Sequence, residues 1–316
     1  KPLIKQLKGK IPFRVLFTGQ HEHIGNFYHD HSIKIKAGSN RLDSIVAATS
    51  TIDNQVFDGV EYVLVQGDTA STFAMALCAF NRKKKVIHLE AGLRTNDLYN
   101  PYPEEGYRQM ISRIASINFC ATENNRTNLL LEKCPGQIFI VGNTVLDNLV
   151  GIETSYGNEV LVTMHRRENH EIMEEWFTEL NKIAFKYKEL TFTIPLHPNP
   201  NVQKHKHLLS GFDIIPPLPY EQMVGRIANC KMLISDSGGI QEESSFLNKR
   251  VIVCRKYTER QESVGTHSVM CPKPTMLLEV FKKTIDNYKI NKPCPYGDGQ
   301  ASKLIVQRIL GVKNEI

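Results

Sequence analysis

Short apolar runs bounded by turn residues recur along the first half of the chain, with segments of helical periodicity between them. The apolar runs are FRVLFTG (13–19), EYVLVQGD (61–68), KKVIHLEAG (84–92), INFCAT (117–122) and QIFIVGN (137–143). The helical segments are 40–56, 69–81, 104–116 and 123–134. Nearly continuous apolar strands that alternate with helices are typical of a parallel sheet covered on both faces. The pattern therefore predicts a Rossmann-like α/β domain.

A second series of apolar runs predicts a second domain of the same class. Its strands are EVLVTMH (159–165), TFTIPLH (191–197), FDIIPP (212–217), CKMLISDS (230–237) and RVIVC (250–254). A helical pattern at 144–152 and the polar stretch 153–158 mark the join. We therefore expect an α/β fold of two Rossmann-like domains facing a cleft, with ligands outside the carboxyl ends of the strands. The predicted bounds are 1–152, 153–297 and a carboxy-terminal helix in 298–316.

The first residues, KPLIKQLKGKI, predict the helix that follows a first strand, and that strand is not in the sequence. The first strand of a doubly wound sheet is central, so a sheet without it would expose two unpaired edges. We therefore expect the natural protein to extend upstream by roughly 15 residues, about one strand and a loop.

Composition narrows the function classes. A chain of 316 residues is long for one core and favours two domains. The net charge of +6 suits an anionic small molecule, and the basic run at 82–85 is typical of a solvated turn rather than of a nucleic-acid surface. The seven cysteines form no CxxC pair, which favours reduced thiols in the cytoplasm. No apolar run approaches the roughly 20 residues of a membrane span, so neither membrane nor nucleic acid is an expected partner.

Two carboxylates end consecutive predicted strands. Asp68 ends the strand 61–68, and Glu90 lies at the end of the next strand along the chain. If those strands are neighbours, the carboxylates lie about 5 Å apart at the sheet edge, where mutual repulsion suits proton transfer. Two structural interpretations compete: Asp68 could cap the following helix, and Glu90 could pair with Arg94.

A third carboxylate is expected in the first turn of a helix. Pro103 fits the first helical position, which puts Glu104 and Glu105 where the helix dipole favours negative charge. Capping explains one of these two residues. The preceding loop, 99–102, is aromatic and rich in proline, as substrate-shaping loops are. We therefore assign the functional role to Glu104 rather than to Glu105.

The segment ISDSGGIQEES runs from an apolar strand through two glycines into a helix. The backbone N–H groups of Ser237, Gly238 and Gly239 would form an anion cradle at the helix N-terminus, suited to a diphosphate. Glu242 or Glu243, one turn on, could accept ribose hydroxyls. A glycine pair after a strand also occurs simply to permit close packing.

Two further strand ends carry candidate residues. His165 closes the strand 159–165 and is followed by two arginines, which favours phosphate contact or acid chemistry over the usual core histidine. Arg260 follows another strand end, in YTERQES. The histidine-rich stretch 21–31 lacks the ligand set of a zinc site, so we expect no metal.

Together these motifs resemble one enzyme family. QGDT, HLEAGLRTNDLYNPYPEE, TENNRTNLL, GNTV, HRREN, SDSGGIQEE, TER and PYGDGQAS, in this order from about residue 13 to the end, are similar to the non-hydrolysing bacterial UDP-N-acetylglucosamine 2-epimerases. The resemblance implies a GT-B-like fold, a carboxy-terminal helix at about 298–311 that crosses back to the first domain, and a homodimer. It also implies a UDP-sugar substrate, a role in supplying surface polysaccharide synthesis, and no cofactor.

The implied reaction inverts C2 of the sugar by elimination and re-addition of UDP through a 2-acetamidoglucal. Carried over by motif, the catalytic residues are Asp68, Glu90, Glu104 and His165. The residues expected to bind UDP, from the strand ends and the resemblance together, are Ser237, Gly238, Gly239, Glu243, Arg260 and Met223. Met223 stands where an aromatic residue would stack on uracil. Gln20 and His21 match part of an activator site of some relatives.

Other activities stay open at this point. A hydrolysing relative would release UDP and N-acetylmannosamine, and an epimerase of a modified UDP-acetamido sugar would share the same residues. A glycosyltransferase would share the fold, and a catalytically silent protein would only bind the nucleotide sugar.

Overall fold

A computed structural model describes residues 2–19, 28–33 and 41–314. They fold as two compact units. One contains the described residues up to Thr144 together with those from Gln300 onward, and the other is Val145–Gly299. In the part of the chain described, every helix is too short or too polar to cross a membrane.

The first unit contains two parallel sheets. Its small sheet pairs β1 (Leu16–Phe17) with β2 (His31–Ser32). Its larger sheet has the order β3 (Tyr62–Gln66), β4 (Lys85–Ala91), β5 (Ala115–Cys120) and β6 (Gln137–Ile140). The helices before and between these strands are α1 (Pro2–Leu7), α2 (Arg41–Ser50), α3 (Ala70–Asn81), α4 (Glu104–Ile114) and α5 (Glu123–Leu131), with a 3-10 turn at Asn54–Phe57.

The second unit contains a six-stranded parallel sheet with helices on both faces. Its strands in chain order are β7 (Glu159–Thr163), β8 (Thr191–Pro195), β9 (Asp213–Ile215), β10 (Met232–Ser235), β11 (Val251–Val253) and β12 (Ser268–Met270). Their spatial order is β9-β8-β7-β10-β11-β12, the 3-2-1-4-5-6 order of a dinucleotide-binding sheet. The α-helices are α6 (Met173–Lys186), α7 (Pro200–Gln203), α8 (Tyr220–Asn229), α9 (Gly238–Phe246) and α10 (Leu277–Ile285).

Alternate strand residues supply the cores on the two faces of each sheet, as the pleat dictates. In the second unit, Val160 and Val162 pack with Trp176 of α6, and Leu161 between them packs on the opposite face with Ile227 of α8. Burial on both faces is why these strands read as continuous apolar runs.

The last helix, α11 (Ala301–Asn314), belongs to the first unit. Its Ile305 and Ile309 pack against Ile87 and Leu89 of β4. The opposite face of the same sheet is covered by α3. Strand β4 and helix α11, far apart in sequence, therefore share one core.

Three predicted elements differ in the structure. The helix predicted at 144–152 is a single 3-10 turn, Leu146–Asn148, because the buried Leu146 and Leu149 are three residues apart and fit a 3-10 turn equally well. The helix predicted at 40–56 ends at Ser50, and the strand predicted at 13–19 is short and pairs with β2. Strand β12 was not predicted.

Candidate active site

Glu90 is the extra residue of a β-bulge at the carboxyl end of β4. Leu89 is opposite Phe119 and Ala91 is opposite Cys120, so two steps along β4 match one step along β5. The backbone of Glu90 is left-handed, with φ of 61°. A non-glycine residue pays about 1–2 kcal/mol for that conformation. Bulges next to active sites redirect a side chain, and this one redirects a carboxylate.

The redirected carboxylate lies against the turn that follows β3. Glu90 Oε1 accepts a hydrogen bond from Gln66 Nε2 at 3.1 Å. Its Oε2 lies 3.3 Å from the point where a Cβ on Gly67 would stand, and Gly67 itself has φ of 73°. Glycine is therefore required there, both by its backbone conformation and by the carboxylate above it.

The His88 side chain contacts the same turn. Its Nε2 lies 2.8 Å from the carbonyl oxygen of Gly67, and the side chain is fully buried. Burial lowers the pKa of His88 to about 4, so the imidazole is neutral at pH 7 and donates to that carbonyl. This role of His88 was not predicted from the sequence, although the histidine lies two residues before Glu90.

Asp68 is paired with an arginine and does not cap a helix. Its Oδ2 accepts from Arg108 Nε at 2.9 Å, and Arg108 Nη2 contacts the same oxygen. The N-cap of α3 is Thr69, so the capping interpretation of Asp68 is wrong. β3 and β4 are neighbours, as expected, which puts Asp68 and Glu90 at adjacent strand ends.

Arg94 likewise does not pair with Glu90. Its Nε and Nη2 donate to the two carboxylate oxygens of Glu132, at 2.7 and 2.9 Å. Arg94 is almost fully buried and makes this bidentate pair 38 residues away in sequence. The structural alternative for Glu90 is therefore wrong, and Glu90 is left with its contacts to the β3 turn.

The first turn of α4 carries one half-buried and one fully buried glutamate. Glu104 is the first helical residue, and Pro103 is the N-cap rather than the first position predicted. The carboxylate of Glu105 accepts the N–H groups of Thr95 at 3.1 Å and Asn96 at 3.3 Å. It also accepts from Arg108, at 3.2 Å, which links it to Asp68.

Glu105 thus anchors the aromatic loop that precedes it. Tyr99 and Tyr102 in that loop stack with ring centroids 6.1 Å apart and are 81% and 68% exposed. A fixed loop base with an exposed aromatic tip is suited to contact a ligand. Glu104 lies at the end of this loop and is half-buried.

In the second unit, the strand order reverses direction between β7 and β10, which is where ligands bind in such sheets. Thr163 Oγ1 and Ser235 Oγ join the two strand ends at 2.7 Å. His165 follows β7 and Asp236 follows β10. The predicted position of His165 at a strand end is therefore the switch point of the sheet.

The His165 ring is partly exposed and lies among other charged groups. Its side chain is 36% exposed, its Nδ1 lies 3.7 Å from Asp236 Oδ1, and its ring stacks on His197 at 5.3 Å. Burial is the main cause that lowers the pKa of His165, and Asp236 opposes it. The imidazole is therefore largely neutral at pH 7.

The glycine segment forms the N-terminus of α9, as predicted, with one difference. Ser237 is the N-cap, but its N–H donates to Ser235 Oγ at 2.9 Å. The prediction that this N–H is presented to an anion is wrong, because a side chain on β10 already accepts it. The N–H groups of Gly238 and Gly239 lie in the first helical turn, where helix geometry provides no acceptor.

The two glycines have different surroundings. A Cβ on Gly238 would lie 2.5 Å from Arg260 Nη1, whereas a Cβ on Gly239 would meet nothing within 4 Å. Gly238 therefore makes room for an arginine, and Gly239 is the open position at the helix N-terminus.

Arg260 belongs to a chain of alternating charges that is largely buried and reaches the surface at Glu168. Its Nε donates to Glu242 at 2.6 Å and its Nη1 to Glu259. Arg255, which is 2% exposed, continues from Glu259 at 3.0 Å to Glu168 at 2.6 Å. We call these five residues the ionic chain. It joins the HRREN, TER and SDSGGIQEE segments, and only Arg260 and Glu242 were singled out from the sequence.

Glu243 and Met223 face different partners. Burial raises the pKa of Glu243 to about 7, although a hydrogen bond from the Tyr220 hydroxyl opposes the shift. Met223, on α8 one turn after Tyr220, packs against the core of the second unit. The aromatic residue near Glu243 is therefore Tyr220, which is 45% exposed.

Gln20 and His21, predicted as part of an activator site, lie outside the described residues. Within the described ranges, His, Cys, Asp and Glu side chains form no group of three that could hold a metal ion.

The sequence model of the UDP-N-acetylglucosamine 2-epimerase family matches residues 5–310. The chain belongs to that family. The family resemblance inferred from the motifs and the assignment to isomerases are thus confirmed. A UDP-N-acetylglucosamine 2-epimerase of Neisseria meningitidis is 35% identical over 98% of this chain and 95% of the relative. One of Bacillus subtilis is 34% identical over 98% and 90%.

Solved structures of family members share the fold. The Neisseria meningitidis epimerase bound to UDP-GlcNAc has a TM-score of 0.88 and 34% identity, covering 98% of this chain and 95% of that one. The S. aureus MnaA–UDP structure has a TM-score of 0.87 and 30% identity, covering 100% and 93%. MurG of Acinetobacter baumannii, at 13% identity and a TM-score of 0.58, is alike in fold alone. The prediction of a GT-B-like α/β fold is confirmed.

Proposed function

We propose that this chain interconverts UDP-N-acetylglucosamine and UDP-N-acetylmannosamine at C2 without hydrolysis. The observation that carries the proposal is the Glu90 bulge, which holds a carboxylate in a strained backbone conformation beside the turn that bears Asp68. Strain of this kind persists where function requires it. The solved relative bound to UDP-GlcNAc, at 34% identity, supports the substrate.

The first half of the reaction is an elimination. A carboxylate takes the C2 proton, the C2–H electron pair forms the C1–C2 double bond, and the C1–O bond breaks so that UDP leaves with its pair. The product pair is 2-acetamidoglucal and UDP. In the second half, UDP re-adds to C1 and a proton returns to C2 from the other face, so no net oxidation or water is involved.

The proposed catalytic residues of the two units have different roles. In the first unit, Asp68, Glu90 and Glu104 are proposed to remove and return the C2 proton, since carboxylates at a strand end and a helix start are suited to general acid–base catalysis. Arg108 keeps Asp68 oriented. In the second unit, His165 supplies a largely neutral imidazole that can exchange a proton with the departing group.

Nucleotide binding is proposed for the second unit. The first-turn N–H groups of Gly238 and Gly239 are suited to the diphosphate, with the Ser237 hydroxyl beside them. Glu243 is proposed to accept the ribose hydroxyls. Arg260 is held by the ionic chain, so its proposed contribution is a positive charge fixed beside Gly238. A contact of Met223 with the uracil base stays a prediction; in the structure Met223 packs against the core of the second unit.

The test is incorporation of deuterium. The protein is incubated with UDP-N-acetylglucosamine in D2O and followed by NMR, and we expect deuterium at C2 of a sugar that stays attached to UDP. Glu90→Gln and Asp68→Asn should abolish this exchange and leave UDP affinity within a few-fold, because the amides keep the shape and remove the base. Glu61→Gln, which changes an exposed carboxylate paired with Lys85, is the matched control and should exchange normally.

Other outcomes identify the alternatives. Accumulation of free N-acetylmannosamine would show a hydrolysing enzyme. Binding of the UDP-sugar without exchange at C2 would show a protein that binds the nucleotide sugar and has no catalytic activity. Normal exchange in either amide variant would reject the assigned residues. A homodimer, a cytoplasmic location and a role in surface polysaccharide synthesis stay predictions, and sedimentation equilibrium tests the first of them.

A further inference from the structure

Asp236 is a buried carboxylate that accepts hydrogen bonds from the segment carrying His165. It is fully buried at the carboxyl end of β10. It accepts the N–H of His165 at 3.0 Å and the N–H of Arg166 at 2.9 Å, both to Oδ2. Asn169 Nδ2 donates to the same oxygen at 3.1 Å. Burying a charge is unfavourable unless it is satisfied in this way, and N–H donors to a carboxylate form strong hydrogen bonds.

The same carboxylate faces the imidazole. Asp236 Oδ1 lies 3.7 Å from His165 Nδ1, which is too long for a hydrogen bond and close enough to stabilise the imidazolium when the ring is protonated. The other titratable or charged groups around the ring are Arg166, His170 and His197. The Nε2 of His170 lies 3.2 Å from the carbonyl oxygen of His165, and His197 stacks on the ring. Asp236 is the negative member of this described set.

The sheet does not need Asp236 to join these strands. β7 and β10 are already paired from Val160 to Thr163, and the Thr163 and Ser235 hydroxyls close their ends. The side-chain contacts of Asp236 begin after the last paired residues, at the backbone of 165–166 and the side chain of Asn169. Its role is therefore local to the segment that carries His165.

We propose that Asp236 is the positioning residue for His165. Its carboxylate fixes the backbone of residues 165–166 and keeps Nδ1 of the ring toward itself, which leaves Nε2 on the opposite side of the ring to exchange protons with the substrate. This inference rests on the proposed function, in which His165 takes part in the reaction. It assigns to Asp236 no contact with the substrate.

The first experiment substitutes Asp236 and measures the pH profile of C2 exchange. In Asp236→Asn we expect exchange to fall about 10- to 100-fold, a part of the about 10²–10⁴-fold that acid–base groups contribute. UDP affinity should stay within a few-fold, so the loss lies in kcat. The limb of the profile that belongs to His165 should move to lower pH, because the imidazolium loses its negative neighbour while Arg166, His170 and His197 remain.

Two variants separate positioning from stability. Thr163→Val removes the buried hydroxyl contact at the same strand ends and keeps the charge, so we expect lower stability with an unmoved pH profile. In a His165→Gln background, Asp236→Asn should reduce the remaining exchange by less than about twofold, since residues that act as a unit are not additive. A full further loss in that background, or an unmoved pH profile in a folded Asp236→Asn protein, would overturn the proposal.

A measurement on the unsubstituted protein covers the case in which Asp236→Asn does not fold. With ¹⁵N-labelled histidine, and His165→Gln to assign the signals, neutral His165 should carry its proton on Nδ1. A proton on Nε2 would contradict the inference. If C2 exchange itself is absent, the proposed function fails, while the position of this proton still decides the role of Asp236.

Discussion

Replacing Glu90 by glycine and by alanine would measure the strain in the bulge. Both substitutions remove the carboxylate and its hydrogen bond to Gln66, so the two variants differ only in the Cβ. At φ of 61°, alanine keeps the strain of about 1–2 kcal/mol that an L residue pays in the left-handed region, and glycine does not. Glycine in turn loses about 0.5–1 kcal/mol through its freedom in the unfolded chain. The net expectation is that Glu90→Gly is more stable than Glu90→Ala by about 0.5–1 kcal/mol.

A matched pair in an ordinary strand position supplies the control. Leu64 lies in the middle of β3, is 36% exposed and has no left-handed backbone. There alanine should be more stable than glycine by about 0.5–1 kcal/mol. Alanine should therefore be the more stable variant at position 64 and glycine the more stable variant at position 90. The difference between the two alanine-to-glycine changes in unfolding free energy, about 1–2 kcal/mol, is the strain at position 90.

The assay is urea unfolding of the four variants, followed by circular dichroism, with C2 exchange measured on the same preparations. Both Glu90 variants should lose exchange, and Glu90→Gly should do so while unfolding at the higher urea concentration. The reasoning is refuted if alanine is as stable as glycine at position 90, since the bulge would then store no strain that glycine relieves.

Two further predictions concern the second unit, in which Trp176 is the single tryptophan of the chain and is fully buried. Gly238→Ala should lower the free energy of unfolding, measured by tryptophan fluorescence, by about 1–3 kcal/mol, because the added Cβ would displace Arg260. Gly239→Ala is the matched control, and it should change the free energy of unfolding little because a Cβ there meets open space. Equal effects of the two substitutions would contradict this packing. The contribution of Glu243 to stability should fall as pH rises from 4.5 to about 7, because Glu243 has its pKa raised to about 7 in the folded state and so binds a proton that the unfolded chain releases. Buried His88, with its pKa lowered to about 4, acts in the opposite direction over the same range, so the Glu243 part is read from the difference between the protein and its Glu243 variant. Glu243→Gln should remove that part of the slope in a series of melts across this pH range, and an unchanged slope would show that Glu243 is not protonated in the folded protein.

Sequence reasoning was most successful where one periodic signal determines one element. Strand β4 and helix α3 lie close to the residues predicted for them, because continuous apolar runs and helical periodicity are local signals. The same reasoning led to the strand ends, where Asp68, Glu90 and His165 are found. Parallel sheets bring such ends to one edge, so position in the chain was enough to locate them.

It was least successful where a partner comes from a distant segment. Arg94 pairs with Glu132, Asp68 with Arg108, and Asp236 accepts from His165, and none of these pairs follows from local spacing. The bulge at Glu90 also has no local signal, because glutamate does not favour a left-handed backbone. These features depend on which strands become neighbours, which the sequence pattern does not state.

The ionic chain connects three segments of the second unit, so a change in one segment affects the buried charges of the others. Each inner charge, such as Arg255 or Glu259, has neighbours of opposite sign on both sides, so a single exchange leaves a buried charge without its counterpart. A chimera with a parent that lacks one of these five charges should therefore tolerate a junction before residue 159 far better than one between residues 169 and 255, which would leave a buried glutamate or arginine without its partner. Natural recombination that separated these charges would have the same cost, so we expect the three segments to be inherited as a set.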